Sequence, residues 1–263
     1  MSEPSRILAL EGIHNFRDYG GYAGADGARV RSRVLWRSSH HAEASPADLR
    51  KIHDLGLARV FDLRGDSERE AHPCLRHPEF AAEVVFAPGE TAGLRAAAFH
   101  EEAAGGVRTV DDAISAMVRL YEGMAWRPVL VETLKLYFAS LAQADGPLLL
   151  HCVAGKDRTG LAAALTHHAL GVHPDDAMAD YLLTHQAANI DARIAAGAGS
   201  SLRALGPEMS DDAVRALVSV RPEYLETALG AIRARHGAID DYMAEVLEVT
   251  PDRKASIRAR LLS

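Results

Sequence analysis

The residues best suited to bond-making chemistry lie together between positions 148 and 160, where the chain reads LLLHCVAGKDRTG. Five residues separate Cys152 from Arg158 and Thr159 follows, the pattern C-x5-R-T. Leu148, Leu149 and Leu150 form a short apolar run, as a strand buried on both faces does. From Arg158 the chain turns Ala- and Leu-rich up to Gly171, which predicts a helix with a glycine stop. Strand, tight loop and helix N-terminus gather backbone N–H groups and the positive end of a helix dipole in one small space, and such a space suits a tetrahedral anion. Val153, Ala154, Gly155, Lys156, Asp157, Arg158 and Thr159 are the candidate phosphate cradle. A thiol of ordinary pKa about 8.5 ionises readily in such surroundings, so Cys152 is the candidate nucleophile toward phosphorus. Arg158 offers a planar fork for two phosphoryl oxygens, which a lysine does not. The Thr159 hydroxyl is placed to hydrogen-bond the sulfur, Lys156 adds a second cation, and His151 is suited to orienting the loop.

The bland alternative for Cys152 is an inert core thiol. The arginine at the sixth position, the threonine after it and the strand–loop–helix context argue against that. HCVAGKDRTG resembles the phosphate-binding loop of cysteine-dependent phosphatases, and the Lys156-Asp157-Arg158 triplet is similar to that of a bacterial branch of the tyrosine-protein phosphatases. Three further stretches match that branch: NFRDYGG at 15–21, VLWRSS at 34–39 and FDLRGDSERE at 61–70. A fourth, RPEYLETAL at 221–229, resembles its C-terminal helical region. The resemblance spans nearly the whole chain. It implies an α/β, tyrosine-phosphatase-like fold, with a central mostly parallel sheet flanked by helices and a helical C-terminal half. It further implies a cysteinyl-phosphate intermediate, a loop aspartate as proton donor, and Arg17 and Asp18 bracing the loop from behind. Helices within 186–218 would fold over the site as a lid. A thiolate phosphatase of this kind needs neither metal nor cofactor.

A proton donor helps the leaving alcohol depart. Many tyrosine phosphatases carry it on a Trp-Pro-Asp loop, but neither Trp36 nor Trp126 has that neighbour. The candidates are Asp157 inside the loop and Asp62 or Asp66 in the segment Asp62-Leu63-Arg64-Gly65-Asp66. A helix N-terminus favours a charged carboxylate, whereas a bound phosphate dianion and a thiolate oppose it. Asp157 is the first choice and Asp62 the alternative. Asp62 and Arg64 fall at the end of a short strand, where ligands gather in open α/β sheets. An Asp62–Arg64 or Arg64–Glu68 ion pair that merely fixes the turn is equally compatible.

The elements that must position these groups follow from periodicity and punctuation. Strands are expected at 6–10, 30–36, 59–64, 83–87 and 147–151, with turns at 14–21 and at Gly24-Ala25-Asp26-Gly27. Ser45-Pro46 starts a helix that Gly56 closes, Thr109 caps another, and a third follows Pro128. This β-α-β alternation supports a largely parallel sheet with helices on both faces. Beyond the loop helix, further helices start at Pro174, Ser210, Pro222, near Ile239 and at Thr250-Pro251. Residues 186–209 are Ala- and Gly-rich and hard to place in a core. Nothing reads as a linker, so one domain spanning 1–263 is expected.

At 263 residues, with 48% hydrophobic and 25% charged residues, the chain has an ordinary globular composition. A formal charge of −7 argues against a nucleic-acid partner. Two cysteines, Cys74 and Cys152, are too few for a disulfide framework. Cys74 is either an uninvolved thiol or a partner that protects Cys152 under oxidation. The thirteen histidines include the adjacent pairs His40-His41 and His167-His168, without a ligand-spacing frame for a metal. No stretch reads as a signal peptide or a membrane span, so a cytoplasmic enzyme is expected, with export lacking a cleavable signal still open. The expected substrate is a phosphoprotein, phosphotyrosine first and phosphoserine or phosphothreonine with it. Lys156 motivates the alternative, a phosphoinositide or other small phosphorylated molecule. A phosphate-binding module without catalysis is the reading from another class. Oligomeric state is open.

Overall fold

The computed structural model describes residues 5–91, 104, 106–143, 146–194 and 209–263. Strands β1 (Arg17–Asp18), β2 (Leu35–Ser38), β3 (Arg59–Asp62), β4 (Glu83–Val85) and β5 (Leu148–His151) form one sheet in the order β1-β2-β5-β3-β4. β1 runs antiparallel to β2 and the other pairings are parallel. Register matters for the site. Ser38 and Asp62 both pair with His151, so β2, β3 and the central β5 end at one level, just before Cys152.

The leucine run of β5 divides between two cores. Leu148 and Leu150 face one cluster and Leu149 the other, the period-two alternation of a strand covered on both sides. Leu149, Trp36, Val60 and Phe16 pack with Ile52 of α1 (Pro46–His53). Ser45 and Asp48 form a capping box at its start. After α2 (Asp66–Ala71), the opposite face is covered by α3 (Val110–Met124), α4 (Pro128–Gln143) and α5 (Asp157–Leu170). Gly171 ends α5 in the left-handed conformation, φ 74°, as a helix stop requires. Among the described residues the C-terminal half is helical: α6 (Pro174–Leu182), α7 (Thr184–Ala187), α8 (Ile190–Arg193), α9 (Asp211–Val218), α10 (Pro222–His236), α11 (Ile239–Glu245) and α12 (Pro251–Leu261). α9 and α10 pack on α3, and α12 packs on α4 and α5.

All five expected strands are shorter than the alternation suggests: β3 stops at Asp62, β4 at Val85 and β5 starts at Leu148, and the other two depart further. Residues 6–10 make only an isolated bridge, Ile7 to Arg17. The stretch 30–36 enters the sheet only at Leu35, because Arg33 adopts φ 62° and breaks the extended backbone. Val30 instead bridges to Leu262 near the chain end. Of the interval expected to form a lid, residues 195–208 lie outside the described residues, while the end of α7 and the whole of α8 and α9 fall within it.

Candidate active site

β5 delivers His151 and Cys152 to a loop that turns at Gly155 and enters α5 at Asp157. Gly155 has φ +66°, and a Cβ there would lie 2.3 Å from the Ser38 carbonyl oxygen. Only glycine lets the loop close this tightly on β2. Among the expected cradle residues Val153 is partly exposed and the rest are buried. Cys152 itself is 1% exposed.

The Arg158 guanidinium is held in a bidentate ion pair. Nη1 donates to Glu68 Oε2 at 2.5 Å and Nη2 to Oε1 at 2.8 Å. Nη1 also donates to Thr91 Oγ1 at 2.7 Å and to the Leu63 carbonyl at 3.1 Å. Burial by itself would weaken the charge. The Glu68 pair outweighs it, with the Cys152 sulfur and Asp157 adding, and the guanidinium is held above its ordinary range. A guanidinium has five N–H donors, so anchoring by Glu68 is compatible with a second bidentate partner on the Nε–Nη2 edge.

Lys156 is buried, and its ammonium donates to the carbonyls of Leu217 at 2.6 Å and Ser219 at 3.1 Å. These close the C-terminal end of α9, where the helix dipole is negative. The loop's second cation thus fastens α9 to the loop. Asp157 lies in the first turn of α5, where Tyr121 Oη donates to its Oδ1 at 2.8 Å and Lys156 Nζ lies 3.2 Å away. Tyr121 in turn hydrogen-bonds Tyr181 at 2.8 Å. The expected hydrogen bond from Thr159 to the sulfur is not formed. Its hydroxyl is buried in the first turn of α5 and has no hydrogen-bond partner, an arrangement that costs about 1–3 kcal/mol unless something satisfies it.

Asp62 is paired with Arg64 by both oxygens, Oδ1 to Nε at 2.9 Å and Oδ2 to Nη2 at 2.7 Å. Burial opposes its charge, but His151 and Arg64 prevail and hold the carboxyl well below the usual carboxylate range. Of the two turn-fixing pairs left open by the sequence, Asp62–Arg64 forms, while Glu68 turns to Arg158. His151 stacks on His41 with ring centroids 5.4 Å apart. Burial pushes it down to about 4 in spite of Asp62, 3.7 Å away. Asp62, Cys74 and His151 form a cluster of metal-ligand type. Arg64 already takes both Asp62 oxygens and donates to Cys74 Sγ at 3.2 Å, so a guanidinium sits where a cation would.

Cys74 therefore lies by the His151 side chain, with the His41 N–H 3.3 Å from its sulfur. Cys152, next along the chain, joins the core on the opposite face of the sheet. Arg17 is joined to Asp180 and to Asn15, whose amide reaches the carbonyls of Ala154 and Gly155. Asp18 instead accepts from Gly20 N at 2.8 Å and Arg33 N at 2.6 Å, fixing its own turn. Sequence reasoning missed Thr91, Asp180 and Tyr121, and it offered Glu68 only as one of two alternatives for Arg64, never for Arg158. The only local signal for Glu68 was its capping spacing after Gly65.

A mostly parallel sheet whose central strand feeds a Cys-x5-Arg loop into a helix N-terminus is the architecture of an α/β phosphatase. The chain belongs to the tyrosine phosphatase family, whose model matches residues 8–263. It is 36% identical over 242 residues to a protein of Cupriavidus necator whose name describes it as a putative tyrosine-protein phosphatase, covering 92% of this chain and 84% of that one. It is 29% identical over 263 residues to the triple specificity protein phosphatase PtpB of Mycobacterium tuberculosis, covering 91% of this chain and 93% of that one. The chain is accordingly a phosphatase, a hydrolase acting on phosphorylated substrates. No helix among the described residues is long and apolar enough to cross a membrane.

Proposed function

We propose that this phosphatase works through Cys152 as nucleophile, forming a cysteinyl-phosphate that water then hydrolyses. The observation that carries the proposal is the Arg158 guanidinium, fixed by Glu68 within electrostatic reach of the Cys152 sulfur at a helix N-terminus. Sulfur attacks phosphorus, the ester oxygen leaves with a proton, and Arg158 with the cradle N–H groups of residues 153–159 holds the equatorial oxygens. The unpaired Thr159 hydroxyl is available to the sulfur or to a phosphoryl oxygen. We assign the proton donor to Asp157, the carboxyl that belongs to the loop. Asp62 suits the part poorly, because a carboxylate with both oxygens held by the Arg64 guanidinium does not carry a proton near neutral pH. Its place beside Arg64 and His151 makes it a brace for the loop's entry.

The substrate in this proposal is a phosphotyrosyl protein, with phosphoserine or phosphothreonine as a second specificity. Lys156 motivated a phosphoinositide reading, but its ammonium is committed to the end of α9, which favours the protein. The cytoplasm is the compartment of this proposal, with export lacking a cleavable signal as the alternative. Hydrolysis of para-nitrophenyl phosphate, unaffected by chelator and abolished in Cys152→Ser, is the expected result. A serine variant as fast as the parent refutes the nucleophile. In pH–rate profiles, Asp157→Asn loses the basic limb and Asp62→Asn keeps it; the reverse outcome reassigns the acid.

A further inference from the structure

We propose that Asp180 is a positioning residue for the phosphate cradle, acting through Arg17, Arg37 and Asn15 on the peptide planes that follow Ala154 and Gly155. The inference rests on the loop after β5 being the phosphate site. Asp180 comes from α6, far along the chain from β1 and β2, and is buried with both arginines. Its Oδ1 accepts from Arg17 Nε at 3.3 Å and its Oδ2 from Arg37 Nη1 at 2.7 Å. Arg17 Nη2 also donates to the Asp180 carbonyl at 2.9 Å.

From this ion cluster two arms reach the loop. Arg37 Nη2 donates to the Gly155 carbonyl at 2.9 Å. Arg17 Nη1 donates to Asn15 Oδ1, which fixes the amide so that Nδ2 donates to Gly155 O at 2.7 Å and Ala154 O at 3.3 Å. Asn15 itself is held at φ 60°, with its N–H on the Ala187 carbonyl at 2.7 Å. The Gly155 carbonyl thus takes two donors from one side. In a trans peptide the C=O and the following N–H point opposite ways. Pinning the carbonyls of Ala154 and Gly155 toward Asn15 and Arg37 therefore turns the N–H groups of Gly155 and Lys156 to the other side of the loop, where an oxyanion would lie. Donors aimed in advance at developing charge are the ones that accelerate a reaction.

The charges explain why an aspartate is required. Burial and Arg37 push Arg17 down to about 10, still a cation at neutral pH. Two buried guanidinium groups are tolerable side by side only with a carboxylate between them, and Asp180 remains ionised to about 2, the arginines outweighing its burial.

The test uses Asn15→Ala, Arg37→Lys and Asp180→Asn, with Arg59→Ala as a control at an exposed ion pair. Arg37→Lys keeps a cation for Asp180 but cannot serve Asp180 and Gly155 together. Each variant is melted by circular dichroism, then assayed for kcat and KM on para-nitrophenyl phosphate and for the inhibition constant of tungstate. Expected for Asn15→Ala and Arg37→Lys is a fall in kcat of about 10²-fold, with a matching weakening of tungstate, in protein that is fully folded at the assay temperature. Arg59→Ala changes neither. Folded variants that keep the parental kcat and tungstate affinity, or that lose only melting temperature, overturn the proposal. If Asp180→Asn does not fold, the other two decide it. A parent protein that neither hydrolyses aryl phosphate nor binds tungstate overturns the phosphate site and this inference together; an active parent with indifferent variants overturns this inference alone.

Discussion

Replacing Glu68 by glutamine tests the part of the site that the sequence left hidden. The substitution preserves shape but removes the counter-charge of a guanidinium that is 1% exposed. It also sets an amide NH2 against one of the two terminal nitrogens that Glu68 now receives at 2.5 and 2.8 Å. Breaking a buried ion pair from one side costs about 3–5 kcal/mol. Arg158 keeps the Leu63 carbonyl and Thr91 Oγ1 as acceptors, so the lower end, about 3 kcal/mol, applies. At about 2–4 °C per kcal/mol for a chain of this size, the melting temperature falls by about 6–12 °C. Catalysis suffers separately. An arginine no longer held in register costs about as much as one misaligned transition-state donor, roughly 10²-fold in kcat. The assay pairs thermal melts with para-nitrophenyl phosphate kinetics, using Glu83→Gln as the comparison. Glu83 meets Arg59 in a pair that is 33% and 61% exposed, where a loss of under about 1 kcal/mol is expected. Should Glu68→Gln melt within about 2 °C of the parent and retain kcat within about twofold, the anchoring of Arg158 is wrong.

Other predictions follow from neighbouring contacts. His151 titrates at about 4 when folded because it is buried, against about 6.5 in the unfolded chain. The unfolded chain therefore binds more protons between those values, and stability that is complete above about 6.5 declines by up to about 3 kcal/mol as pH falls to about 4. Thermal melts of His151→Asn should show a flatter slope in that window, and an unchanged slope would refute the assignment. Lys156→Ala should lower kcat on a phosphopeptide and on a phosphoinositide in parallel and speed proteolysis around α9, because the ammonium holds Leu217 and Ser219. A loss confined to the lipid would return Lys156 to the substrate. Cys74 and Cys152 lie on opposite faces of the sheet end, so mass spectrometry after peroxide should find no disulfide between them, and Cys74→Ser should recover activity no more slowly than the parent.

What the sequence could disclose was local, and the site shows why. The turn into α5 is written in consecutive residues: apolar strand, Cys152, Gly155 at a left-handed angle, then a helix ending at Gly171. Helix starts at Ser45, Thr109, Ser210 and Thr250 were equally legible, because a cap is a contact over three residues. Strand ends were less so. Val30 belongs to an alternating pattern, yet one residue, Arg33 at φ 62°, detaches it from β2. Of the buried ion pairs, only the local Asp62–Arg64 contact was among those the sequence offered. DLRGDSE offers Arg64 three carboxylates, Asp62, Asp66 and Glu68, two of them equally near in sequence, and the one it takes with both oxygens is Asp62, while Asp66 pairs with Arg69. Glu68 gives its bidentate contact to Arg158, which arrives from 90 residues away. Asp180 meets Arg17 across 163 residues and Arg37 across 143, separations at which no spacing rule applies. These remote carboxylates share a function that composition cannot express. Glu68 and Asp180 each neutralise guanidinium groups buried around one short loop, so that positive charge can be concentrated there without unfolding it. The net charge of −7 thus conceals a basic centre, and the acids that make it possible are as much a part of the site as the arginines.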